Sequence, residues 1–138
     1  MSKPQLTAAI IVVSTTVSLG TSEDKTTTVL EDVFSHQDQC SWGIVAEQVV
    51  TDDFKEIQDI VATIVELHEP SLVVLSGGTG FAVSDVTPEA VSELLEKQAP
   101  GLVHGMLSSS AAITPCKLSS STLIMWLIGM QLLSCHVL

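Results

Sequence analysis

The residues best suited to chemistry lie between Ser71 and Leu95, in SLVVLSGGTGFAVSDVTPEAVSELL. Glycines at 77, 78 and 80 let the backbone turn sharply and come close to a ligand. Free N–H groups and the hydroxyls of Ser76 and Thr79 can then face phosphate oxygens. Such a run serves a tight turn as readily as an anion cradle, and the residues alone leave both open. Beyond it stands Asp85, just before a point where a helix is expected to begin. Thr87 is expected as N-cap, with Pro88 at the first helical position and Glu89 inside the first turn. A second acidic pair, Asp52 and Asp53, precedes another helical pattern. Asp52 can act as a helix-dipole partner and Asp85 as a turn residue. Together the two carboxylates could also hold a divalent cation against nucleotide phosphates.

Other reactive side chains suggest less. His36, His68, His104 and His136 are scattered, without a metal-binding spacing. Cys40, Cys116 and Cys135 are odd in number and form no C-x-x-C pair, so neither a disulfide framework nor a zinc site is expected, and a reduced, cytoplasmic setting fits best. No serine lies in a G-x-S-x-G elbow. The run Ser22 to Asp24 reads equally well as a solvated loop.

Five basic against sixteen acidic residues give a formal charge of −11, which repels nucleic-acid backbones and anionic lipid surfaces. Neither is expected as a partner. An anionic substrate is repelled as well unless metal ions or backbone donors offset the field, and this points to a metal.

The elements that must position these residues follow from pattern. Thr7 to Ser14 is β-branched and lacks helical period, so it is expected as a buried central strand; with Lys3 it mimics a signal peptide only loosely. A helix over Thr26 to Phe34 is expected to bury Val29, Leu30, Val33 and Phe34. Gly43 to Val50 reads as a strand, and Phe54, Ile57, Val61, Ile64 and Leu67 mark an amphipathic helix ending before Pro70. Leu72 to Leu75 is a third buried strand, and Gly101 to Ala112 is weakly helical. The alternation implies right-handed parallel crossovers and one α/β domain, a three-layer α/β/α sandwich around a mostly parallel sheet. In such sheets ligands sit at the carboxyl edge, where one rim can gather Ser14, Asp24, Asp52, the glycine loop and Asp85.

SGGTGFAVSDVTPEAV resembles the signature of the MoaB/Mog molybdopterin-binding domain family, Thr-Gly-Gly-Thr-Gly followed by Asp-Val-Thr-Pro-Glu-Ala. Ala99-Pro100-Gly101, Ile113-Thr114-Pro115 and Leu118-Ser119 follow in the family's order, and Val49 to Asp53 resembles its Val-Pro-Asp-Asp with Thr51 for proline. The likeness spans about residues 7 to 119. It implies a cytoplasmic, trimeric molybdopterin adenylyltransferase of molybdenum cofactor biosynthesis. Its substrates would be molybdopterin and ATP and its metal Mg²⁺. Asp52 and Asp85 would be the catalytic and metal-binding carboxylates; Ser14, Ser76, Gly77, Gly78, Thr79 and Gly80 would bind the ligand. Thr15 stands where the family has aspartate, and Ser84 where it often has Arg or Lys. A non-catalytic molybdopterin-binding or scaffold module is the alternative.

The resemblance divides the chain into residues 1–121 and an apolar segment, 122–138, expected to complete or cover the sheet. Thr122 to Leu138 holds no Asp, Glu, Lys or Arg and lacks the family's Asn-Leu-Pro-Gly-Ser-Pro loop. Thr122 to Leu127 is expected as an added strand broken by Gly129, with Gln131 to Leu138 a short helix or irregular cover. At 17 residues the segment falls short of the roughly 20 that span a bilayer.

Overall fold

Apolar, β-branched residues fill the first strand, β1 (Gln5–Val13), and parallel partners flank it on both sides: β2 (Ser41–Val50) and β3 (Leu72–Ser76). The computed structural model describes residues 5–36, 40–113, 124–128 and 131–136. Ala8 to Val13 are all buried, as a strand covered on both faces requires. The remaining strands are β4 (Lys97–Gln98), β5 (Ile124–Ile128) and β6 (Gln131–His136). They complete a six-stranded sheet ordered β2-β1-β3-β6-β5-β4. β6 is parallel to β3, whereas the β4·β5 and β5·β6 pairs are antiparallel.

The helices are α1 (Thr15–Ser18), α2 (Thr26–Ser35), α3 (Phe54–His68), α4 (Thr87–Ser92) and α5 (Pro100–Ile113). Two of the layers can be read from the alternation along β1. Ala9, Ile11 and Val13 pack with Ile57, Val61 and Ile64 of α3 and Ala90 and Val91 of α4. Ile10 and Val12 face the other way, toward Leu30 of α2 with Phe34 beside it. Successive side chains of a strand point to opposite faces, so one strand feeds both cores. The expected three-layer α/β/α architecture is the one observed.

Several expectations about individual residues need correction. On α2 only Leu30 is buried; Val29 and Val33 are 46% and 49% exposed, because the helix meets the sheet along a narrow line. Phe34 is half-buried and stacks obliquely on Trp42, ring centroids 5.2 Å apart. Leu67 lies on the open side of α3 at 72% exposure. Gln131 to His136 is neither helix nor irregular cover: it is β6, paired in register with Leu72 to Ser76. The expected break at Gly129, the Thr114-Pro115 and Leu118-Ser119 pairs, Lys3, Thr122, Leu123 and Met130 lie outside the described residues.

The start of α3 is held by a reciprocal cap. Asp53, extended at φ −114°, accepts the Glu56 N–H at 2.8 Å, and the Glu56 carboxylate reaches back to the N–H and hydroxyl of Thr51. Asp53→Ala is therefore expected to cost about 1 kcal/mol and Asp53→Asn only a few tenths, read as shifts in the urea midpoint at constant slope.

Candidate functional site

The carboxyl ends of β1, β2 and β3 meet at one rim because all three run parallel. Ser14, the first residue past β1, donates its N–H to the Val50 carbonyl at the end of β2 (2.8 Å), and its hydroxyl accepts the Val17 N–H as the cap of α1 (3.3 Å). Past β2, Asp52 turns toward β1. Its Oδ2 accepts both the N–H (3.0 Å) and the hydroxyl (2.8 Å) of Thr15. Past β3 comes the glycine loop.

That loop presses against the backbone of β1. Gly77 has φ +102°, and a Cβ built there would stand 2.1 Å from the Val13 carbonyl oxygen. At Gly78, φ +63°, a Cβ would meet Thr87 Oγ1 at 2.4 Å and Asp52 Oδ1 at 3.1 Å; at Gly80 it would meet Asp85 Oδ2 at 2.6 Å. The two carboxylates thus approach the same short loop, Asp52 at Gly78 and Asp85 at Gly80. Asp85 is set by its own turn: its N–H donates to the Ala82 carbonyl at 3.0 Å and its Oδ2 accepts the Ala82 N–H at 3.3 Å.

Thr87 is not the expected N-cap. Val86 occupies that position without a side-chain cap, and Thr87 is fully buried as the first residue of α4. Its hydroxyl donates to the Gly77 carbonyl (2.9 Å) and its N–H to that of Gly78 (3.0 Å), so the helix start is pinned under the loop. Pro88 is accordingly the second residue of α4, one place later than expected but still in the first turn.

Beside the loop opens a cleft of about 220 Å³, lined by Ser14, Asp24, Lys25, Ser76 and Gly77 among others. Of the candidate residues it gathers Ser14, Ser76 and Gly77; Asp52, Asp85, Gly78, Thr79 and Gly80 lie at the loop but not on its walls. Asp24 is engaged as a cap of α2, its Oδ1 accepting the N–H groups of Thr26 (3.0 Å) and Thr27 (3.1 Å) and its Oδ2 the Thr27 hydroxyl. Lys25, which the family resemblance keeps beside Asp24, was given no site role from the sequence, although one cation in a loop of a strongly acidic chain was a usable signal. Near this side Glu47 is held above the ordinary carboxylate range, first by a hydrogen bond with Glu31, then by desolvation and by the charges of Glu31 and Asp24.

Three observations test whether the loop suits a phosphate ligand with a divalent cation. Thr79 is 2% exposed, and its buried Oγ1 makes no hydrogen bond among the described residues; a buried hydroxyl without a partner is costly unless a ligand or water completes it. Side chains are missing where Gly78 and Gly80 face Asp52 and Asp85, which lets the loop come close to one oxygen of each carboxylate. Among the described residues no three His, Cys, Asp or Glu side chains converge, so a cation here would share substrate oxygens with one or two carboxylates, as Mg²⁺ commonly does. The residues fit such a group.

Comparison with known proteins bears on the family and the fold. A family described as "Probable molybdopterin binding domain" matches residues 9–129. Gephyrin of Dictyostelium discoideum is 31% identical over 113 residues, covering 77% of this chain and 16% of that protein. A probable molybdopterin adenylyltransferase of Methanocaldococcus jannaschii is 42% identical over 53 residues, 38% of this chain and 32% of its own length. The chain therefore spans a third or less of these two relatives. Among solved structures, the molybdopterin biosynthesis enzyme MoaB of Thermus thermophilus superposes with a TM-score of 0.85 at 26% identity, over 96% of this chain and 80% of that one. A molybdopterin biosynthesis protein of Mycobacterium abscessus gives a TM-score of 0.85 at 25% identity with the same coverage. With the family match covering residues 9–129, the glycine loop among them, this chain belongs to the MoaB/Mog molybdopterin-binding domain family.

Proposed function

We propose that the chain acts in molybdenum cofactor biosynthesis by adenylylating molybdopterin. A phosphate oxygen of molybdopterin attacks the α-phosphorus of ATP, a new P–O bond forms, the bond to the β-phosphate bridge breaks, and pyrophosphate leaves. The observation that supports this reading most is the glycine loop with Asp52 at Gly78 and Asp85 at Gly80, together with a buried Thr79 hydroxyl that has no partner among the described residues.

In this reading the backbone of Gly77, Gly78 and Gly80 accepts the close approach of phosphate or pterin, and Ser14, Ser76 and Thr79 supply hydroxyl donors. Asp52 and Asp85 would hold Mg²⁺, which when bound neutralises phosphate charge. The remaining work of the chain is positioning: Thr87 fastens the loop through Gly77, and a fixed loop would hold the phosphates for in-line transfer. A cytoplasmic trimer is the setting the family resemblance implies, and sedimentation tests the trimer. Among the described residues no helix is long and apolar enough to cross a membrane.

Incubating the chain with molybdopterin and Mg-ATP is expected to release pyrophosphate and adenylylated molybdopterin in equal amounts; absence of both overturns the reading. Calorimetric binding of molybdopterin without turnover would instead support a binding module. Exposed Ser84, where relatives often carry a cation, favours that second reading.

A further inference from the structure

We propose that Thr15 is a positioning residue that aims Asp52 at the glycine loop. Thr15 meets Asp52 across 37 residues of sequence through three hydrogen bonds. Its N–H and its hydroxyl both donate to Oδ2, at 3.0 and 2.8 Å, and the Asp52 N–H donates back to Thr15 Oγ1 at 3.1 Å. One carboxylate oxygen is thereby occupied and the carboxylate plane is set. The other, Oδ1, is left directed at Gly78, where an added Cβ would stand 3.1 Å away.

A single hydroxyl that both accepts from the backbone and donates to the side chain of one residue constrains that residue's χ1 and χ2 together. An aspartate in place of Thr15 could not do this: it has no proton to donate when ionised, and it would set two like charges side by side. Thr15 therefore acts through Asp52 and not on the substrate. The inference rests on the reading of Asp52 as a site carboxylate, and it gives the change at this position a role of its own.

The test compares Thr15→Val, which keeps shape and N–H but loses the hydroxyl, with Thr15→Ser, which restores it; Thr15→Ala substitutes for Thr15→Val should that variant not fold. Scalar couplings of the full-length labelled chain report the Asp52 χ1 rotamer without any assay. One rotamer is expected in wild type and Thr15→Ser, and averaging over several in Thr15→Val. In kinetics, Thr15→Val is expected to lower kcat/KM for Mg-ATP about 10- to 100-fold with KM for molybdopterin unchanged, and Thr15→Ser to stay within about threefold of wild type. Added to Asp52→Asn, Thr15→Val is expected to cost nothing further, whereas a merely structural role would give additive losses. An unchanged single rotamer in Thr15→Val, or additive losses, overturns the proposal. If wild type itself shows no turnover, the adenylylation reading fails while the rotamer comparison still decides the role of Thr15.

Discussion

Gly77→Ala is expected to leave little folded protein. The new Cβ would lie 2.1 Å from the Val13 carbonyl oxygen and 3.1 Å from its carbon, both backbone atoms of the strand hydrogen-bonded to β2 and β3. No rotamer change can relieve a collision with main chain, and moving Val13 would disturb the most buried strand of the sheet. The φ of +102° adds strain for any L side chain. The combined cost is put at ~3 kcal/mol or more, a large share of the stability of a domain this size. Gly20 provides the control. It too has a positive φ, +72°, but nothing stands within 4 Å of its added Cβ, so Gly20→Ala should cost only about 1 kcal/mol. Chemical unfolding of the two variants side by side is decisive. A Gly77→Ala midpoint within error of that of Gly20→Ala would mean that the loop does not approach β1 as described.

The second large effect concerns activity with stability nearly preserved. Asp52→Asn is isosteric, and its remaining carbonyl oxygen can still accept from Thr15. The amide nitrogen is then turned toward Gly78, so a pair of N–H donors replaces an acceptor where Oδ1 faces the loop. Asp85→Asn likewise keeps an acceptor for the Ala82 N–H and loses its charge beside Gly80. If these carboxylates hold the cation against the phosphates, each change should lower kcat/KM by ~10²- to 10³-fold, about 3–4 kcal/mol of transition-state stabilisation. The melting temperature should move by only a few degrees, since ~1 kcal/mol shifts a domain of this size by about that much. Full activity in both variants would remove the roles assigned to them and leave the fold untouched.

How far these features were legible beforehand depended on the range of the interaction behind each. Ala8 to Val13 and Leu72 to Leu75 read as buried strands because burial on both faces demands an unbroken apolar run. Helix α3 was legible from its period, and its ends from Asp53 and Pro70. Leu67 was misassigned because the periodic stripe continues past the point where the sheet stops covering it. Val29 and Val33 failed for the same reason on α2. The two-residue β4 is too short to leave a pattern. Residues 131–136 look apolar and indeterminate locally; they become a strand because β3 would otherwise present an open edge that β6 fills. Thr87 is the most instructive case. Thr-Pro-Glu is a sound local signal for a helix start, and the helix does start there, yet the hydroxyl is claimed by the Gly77 carbonyl ten residues back.

By itself the sequence determined the layer architecture and the glycine loop, since each is written in contiguous residue types, apolar runs and glycines needing unusual φ; the choice of Asp52 and Asp85 came from the family resemblance. Only the tertiary structure decided that Thr15 grips Asp52, that Asp24 is spent as a cap, and that Thr79 is buried with its hydroxyl unpartnered among the described residues. The physical reason is that hydrogen bonds between the ends of parallel strands join residues separated by whole crossovers, and the geometry of those crossovers is set by packing of the sheet against its helices, which no local pattern encodes.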